Sequence, residues 1–277
     1  MKEEFKRRKK FLVCVDSDGC AMDTMNIKHK NYFGPLITEV FGIKDKETFL
    51  KNWDKVNLYS RTRGINRFKG LVLGLKDAAN RGEEIIDISN LVRWTETTKE
   101  LSNASLKKEI ELYNTEDLQK ALDWSYKVNK GIEELVGKDA PFENVKEFLK
   151  KIHKVTDVAI VSAANSEALY SEWQRHNLLE EVDVVFGQEA GTKAHCIEIL
   201  KSYGYENDEI LMVGDAPGDL QSAKINEVFF YPILFGKEKY SWERLVSETL
   251  SNLTNKTFTK EYQEKLIKEF DELLDKQ

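Results

Sequence analysis

Only three cysteines occur in 277 residues, Cys14, Cys20 and Cys196, an odd number at unrelated spacings. That excludes a disulfide framework and favours a reducing, cytoplasmic compartment. The four histidines, His29, His153, His176 and His195, are scattered, with no spacing that would pair them on a metal. No run of apolar residues is long enough for a membrane span. The charged N-terminus turns apolar only over Phe11–Val15, too short for the hydrophobic segment of a signal peptide. Basic excess is also missing. With a net charge of −6, the chain does not carry the field expected of a general nucleic-acid binder. Its one basic run, Lys6-Arg7-Arg8-Lys9-Lys10, reads as a solvated leader before the first strand. There is no internal repeat and no low-complexity linker.

Against these absences, 41% hydrophobic residues and 10% aromatics are ample for a buried core. The length suggests two domains of roughly 150 residues each. The chain changes character twice. After an apolar strand at 11–15, residues 24–138 read almost wholly as helix. Ile37, Val40 and Phe41 fall on one helical face, further helices are expected near 45–58 and 64–80, and Asp87 or Ser89 would cap another. Thr115-Glu116-Asp117 marks one more start. From 139 onward helix and strand alternate: a helix opening at Pro141, strands at 157–161, 182–186, 209–213 and 228–231, and helices at 165–176 and 193–203 between them. Two more helices are expected over 238–277. Continuous apolar strands alternating with helices predict a parallel sheet buried on both faces. The strand at 11–15 has the same character and should join it. The expectation is therefore an α/β core of residues 1–24 and 139–277, with an all-α insertion over 25–138.

Open parallel sheets carry their sites at the carboxyl ends of the strands. Asp16 and Asp18 follow the first strand, Ser162 the second, and Gly214-Asp215-Ala216-Pro217-Gly218-Asp219 the strand at 209–213. Lys193 opens a helix after the glycine-flanked loop 187–191. Carboxylates with a backbone carbonyl and water suit Mg²⁺, while a hydroxyl and a lysine suit phosphate oxygens.

This set resembles the haloacid dehalogenase superfamily, most of whose members are phosphatases. The family's first motif, a strand followed by D-x-D-G-T/V-x-x-D, reads Asp16-Ser17-Asp18-Gly19-Cys20-Ala21-Met22-Asp23. Its second, a Ser or Thr ending a strand, is Ser162. Its third, a Lys at a helix start, is Lys193, and its fourth, G-D-x-x-x-D, is GDAPGD with Asp215 and Asp219. The resemblance covers about 1–24 and 139–235 and implies a Rossmann-like core with an inserted helical cap. It implies Asp16 as nucleophile, with Asp18 as the acid that protonates the leaving oxygen and later activates water. Mg²⁺ would be held by Asp16, the Asp18 carbonyl, Asp215 and Asp219, the last as ligand or as orienter of ligands. Ser162 and Lys193 would hold the phosphoryl oxygens. An Asp at position 18 favours phosphate esters over halides or phosphonates. Cys20 departs from the usual Thr or Val and reads as packing, and Asp23 reads as a cap for the following helix.

The cap should choose the substrate. Arg63 and Arg67 stand four apart on one predicted helix face, with Asn66 beside them, and such a basic face could grip a second anionic group or sugar hydroxyls. The expected reaction is Mg²⁺-dependent hydrolysis of a small phosphorylated metabolite such as a sugar phosphate. A phosphomutase of the β-phosphoglucomutase kind is the alternative. Neither nucleic acid nor membrane is an expected partner, and the sequence is silent on oligomeric state.

Overall fold

A computed structural model describes residues 5–276. By contacts the chain divides into two units: residues up to Met25 with Gly137–Lys276, and Asn26–Val136.

The first unit is built on a sheet whose strand order is β3-β2-β1-β4-β5, with β1 Phe11–Val15, β2 Thr156–Val161, β3 Val184–Phe186, β4 Ile210–Gly214 and β5 Phe229–Pro232. Every pairing is parallel. Val15 lies opposite Ile160 of β2 and Val213 of β4. Asp16, Ser162 and Asp215 therefore leave three adjacent central strands at one edge. β1, β2 and β4 are buried along their whole length, which is why β1, β4 and residues 158–161 of β2 read as apolar runs.

The second unit follows β1. After α1 Met25–Lys28 come α2 Gly34–Val40, α3 Lys46–Leu58, α4 Arg67–Asn80, α5 Ser89–Thr97, α6 Asn103–Tyr113 and α7 Glu116–Glu133. Their own core gathers Phe33, Ile37, Phe49, Trp53, Phe68, Trp94 and Trp124. Asp45 accepts the Thr48 amide at 3.1 Å and Asn66 the Phe68 amide at 3.0 Å, so α3 and α4 each start on a side-chain cap. The entering and leaving ends of this unit touch closely: a Cβ at Gly131 would overlap the Tyr32 ring.

The chain returns through α8 Val145–His153, α9 Ser166–Arg175, α10 Lys193–Lys201, α11 Pro217–Asn226, α12 Glu238–Arg244, α13 Leu250–Thr254 and α14 Lys260–Asp275. Pro141 does not open a helix. Met22 pairs with it in an isolated antiparallel bridge, the Phe142 amide donates to Ala21 and the Asp23 amide to Ala140, so outgoing and returning strands of chain are stitched together. The helix starts only after Asn144, which adopts a left-handed φ of 63°.

The basic leader is also more than solvated. The amides of Arg8 and Lys9 each donate to Asp157 Oδ2 at 2.9 Å, and the Tyr205 hydroxyl donates to the same oxygen at 2.5 Å. Arg7 pairs with Glu209 at 3.0 Å, and its guanidinium lies over the Tyr205 ring. Buried carboxylates at the amino ends of β2 and β4 need such partners. All three cysteines are buried free thiols. No helix among the described residues is long and apolar enough to cross a membrane.

Candidate active site

The Asp16 amide donates to Val213 O at 3.0 Å, extending the β1–β4 ladder by one step. Its Oδ1 receives the Ser17 amide at 2.8 Å. The chain then curls: the amides of Cys20, Ala21 and Met22 all converge on the Ser17 carbonyl, and Gly19 sits at φ 82°, where a side chain would be strained. Asp18 stays half-buried beyond this turn, and the buried Thr24 hydroxyl donates to its Oδ1.

β4 supplies the facing wall. Asp215 leaves its end, and Asp219 comes back from the first turn of α11. The Asp219 carboxylate lies against Gly214, where a Cβ would overlap it, and its Oδ2 accepts the Ala216 amide at 3.1 Å. Lys193, the first residue of α10, sets its ammonium between two carboxylates, 2.8 Å from Asp16 Oδ2 and 2.5 Å from Asp219 Oδ1. Asp16, Asp215 and Asp219 each bring an oxygen within 4.8 Å of the others, and all three are buried. The geometric requirement set by the sequence, carboxylates near enough to share one cation, is met. Ser162 directly follows β2, is buried, and its Oγ accepts the Ala164 amide at 3.1 Å, which leaves its proton available to donate.

The electrostatics follow from burial. Burial pushes the Asp16 carboxyl well above the usual range, Lys193 opposes this, and Asp219 and Asp215 add to it. For Lys193, burial lowers the pKa, but the adjoining Asp16 and Asp219 outweigh it and hold the ammonium charged. Three buried carboxylates crowd one ammonium, an arrangement that further positive charge would relieve. An all-oxygen donor set of this kind fits a hard divalent cation such as Mg²⁺, and it is the one such group among the described residues.

A model of haloacid dehalogenase-like hydrolases matches residues 79–232, more than half of the chain. The chain belongs to that family. No curated protein matches this hydrolase. Among solved structures, a candidate phosphoglycolate phosphatase from Lactobacillus plantarum aligns at 10% identity and a TM-score of 0.48, over 84% of this chain and 90% of its own. A candidate β-phosphoglucomutase from Thermotoga maritima aligns at 15% identity and 0.47, over 80% and 84%. A Bacillus subtilis hydrolase of the same family, solved with bound magnesium, aligns at 12% identity and 0.46, over 81% and 87%.

Within the helical unit, the residues expected to choose the substrate make these contacts. Arg63 is buried and donates to Leu58 O at 2.6 Å. Asn66 caps α4 and donates to Leu101 O at 3.2 Å. Arg67 donates to Asn129 Oδ1 at 2.6 Å and lies over the Phe33 ring. Arg63 stands before α4 and Arg67 opens it, so the two do not share a helix face. Asp23 is exposed and bonds through its backbone rather than as a cap. Gly214 is the first residue of the GDAPGD motif, but its role as clearance for the Asp219 carboxylate is not readable from that motif, and Thr24 adjoins the first motif with adjacency as its one signal.

Proposed function

We propose that this hydrolase is a phosphatase acting on a small phosphorylated metabolite, a sugar phosphate among the candidates, through an aspartyl-phosphate on Asp16, with Mg²⁺ as its ion. The observation that carries the reading is Asp16 Oδ2 held 2.8 Å from the Lys193 ammonium inside a cluster of three buried carboxylates. Asp16 is the nucleophile: one oxygen is fixed by the Ser17 amide, leaving the other to attack phosphorus. Lys193 and the Ser162 hydroxyl offset charge on the phosphoryl oxygens, the main requirement of phosphoryl transfer. Asp18 gives its proton to the leaving oxygen, then takes one from the water that attacks the phosphorus of the aspartyl-phosphate, which releases phosphate and restores Asp16. A divalent cation held by Asp16, Asp215, Asp219 and the Asp18 carbonyl would supply positive charge beside those oxygens and offset the excess of carboxylates.

The helical unit, Asn26–Val136, is in this reading the cap that selects the substrate. Arg67, half-buried at the start of α4, is its first candidate contact, with Asn66 and Arg63 supporting the same segment. The test is a panel of phosphorylated metabolites incubated with the protein and MgCl₂, reading inorganic phosphate. Release that Asp16→Asn abolishes supports the assignment. An Asp16→Asn variant as active as wild type overturns it, and isomerised ester without phosphate release replaces hydrolysis with a phosphomutase reaction.

A further inference from the structure

The loop that carries Asp16 is held from outside by two fully buried indoles. Trp242 of α12 donates its Nε1–H to Cys20 O at 2.9 Å, and Trp173 of α9 donates its Nε1–H to Ser17 Oγ at 2.8 Å. The two bonds differ in what they reach. Trp242 holds the far limb of the turn. Trp173 holds the residue next to the nucleophile, and Ser17 is the hub of the turn. Its amide fixes Asp16 Oδ1, its carbonyl collects the three amides of Cys20, Ala21 and Met22, and its side chain is wholly enclosed. A hydroxyl buried between two catalytic carboxylates would be costly without a partner. The indole supplies one from a helix outside the motif.

We propose that Trp173 is a positioning residue for the reaction, acting through Ser17 to aim Oδ2 of Asp16, the oxygen that faces Lys193. The bond fixes the rotation of the Ser17 side chain, and with it the peptide whose amide holds Asp16. A small rotation there swings the attacking oxygen away from phosphorus, and displacement of about 1 Å is enough to cost two orders of magnitude in rate. This rests on Asp16 being the nucleophile, as proposed above.

The test uses p-nitrophenyl phosphate with MgCl₂ and five proteins: wild type, Asp16→Asn, Trp173→Phe, Ser17→Ala, and the Trp173→Phe/Ser17→Ala double variant. Trp173→Phe keeps a ring and removes the donor. The expected result is kcat at least fivefold lower in both single variants, with KM within twofold of wild type. Ser17→Ala also leaves the indole N–H buried without an acceptor, so its melting temperature falls. In the double variant that loss is relieved and the melting temperature recovers, while kcat stays at the level of the single variants. A purely structural bond would return kcat together with stability. Wild-type kcat in Trp173→Phe, or kcat that recovers in the double variant, overturns the proposal. Amide exchange over residues 16–22 provides a readout that needs no substrate. If wild type fails to turn over, or Asp16→Asn turns over equally, the nucleophile reading fails separately. Faster exchange in Trp173→Phe then still supports the brace, and unchanged exchange overturns it.

Discussion

At the scale of single residues, the site depends as much on a missing atom as on charged groups. Asp219 can reach Lys193 and the Ala216 amide because Gly214 presents no Cβ to its carboxylate. Gly214→Ala should therefore displace that carboxylate without emptying the core. We expect turnover to fall by about 100-fold, as a shift near 1 Å would produce, with a melting temperature close to wild type. Wild-type turnover would show that Asp219 tolerates the displacement. The carboxylates themselves were legible in the sequence, because acidic residues placed directly after buried apolar strands are costly unless a cation or a donor meets them. The roles of Gly214, Thr24 and Ser17 were not, although Gly214 opens the GDAPGD motif, because their contributions are a clearance and two hydrogen bonds that exist only once the loop has closed. The cysteines carry a second expectation. Burial pushes the Cys196 thiol up to about 11, and burial also raises Cys14 and Cys20, with nearby carboxylates adding to the latter. The thiolate is the reactive form. Native protein at pH 8 should therefore give no reaction with a disulfide thiol reagent, and three equivalents should appear in guanidinium. Rapid labelling of Cys20 in the native state would contradict its reading as a packing residue.

At the scale of elements, the strands were readable and their surroundings less so. β1 and β4, and β2 from Val158 onward, are apolar because the sheet is buried, and this left an unambiguous signal. α6 falls within the stretch read as helix but had no bounds of its own: Leu106 is its one fully buried apolar residue, with Ile110 packed beside the same core, so its apolar face is narrow. Pro141 misled because proline is equally at home in the extended linker it occupies. The leader's role was hidden for another reason, since its partners Asp157 and Glu209 are about 150 and 200 residues away in sequence. Asp157→Ala removes the acceptor of two amides and one phenol. We expect a loss of about 3 kcal/mol, the scale of a broken buried network, read from urea midpoints. A loss below about 1 kcal/mol, the scale of a single hydrogen bond, would mean that water replaces the carboxylate. The returning linker has its own ionic anchor. Burial tends to raise the Asp139 carboxyl, but Arg175 and His176 beside it win and hold it below the usual carboxylate range. A carboxyl depressed in the folded state stabilises that state above its unfolded pKa of about 3.9, and this contribution disappears as pH falls through the lower folded value. Asp139→Asn should thus be less stable than wild type at pH 7, with the difference closing below about pH 4. A difference independent of pH would show that the negative charge is not what Asp139 contributes.

At the scale of the molecule, each unit has a hydrophobic core of its own, one around the sheet and one among the helices of Asn26–Val136. Separate cores are the condition for separate folding. The helical unit's ends also meet, where Tyr32 packs against Gly131, so excision does not leave a gaping chain. Residues 26–136 produced alone should give a helical circular dichroism spectrum and a cooperative melt. This independence makes the metal reading testable without a substrate. Asp16, Asp215 and Asp219 all belong to the sheet unit, and they are the one candidate cation group among the described residues. A cation that binds only the folded state stabilises it by mass action, about 2.7 kcal/mol at 100 times its dissociation constant. For a unit of this size that is a rise of roughly 5–10 °C. MgCl₂ should accordingly raise the melting temperature of the full chain and leave the excised helical unit unchanged. Asp215→Asn should abolish the rise, because it removes a ligand while lessening the repulsion that the ion would relieve. A rise that persists in Asp215→Asn, or that appears in the isolated helices, would place the cation elsewhere and overturn the assignment of these three carboxylates as its ligands.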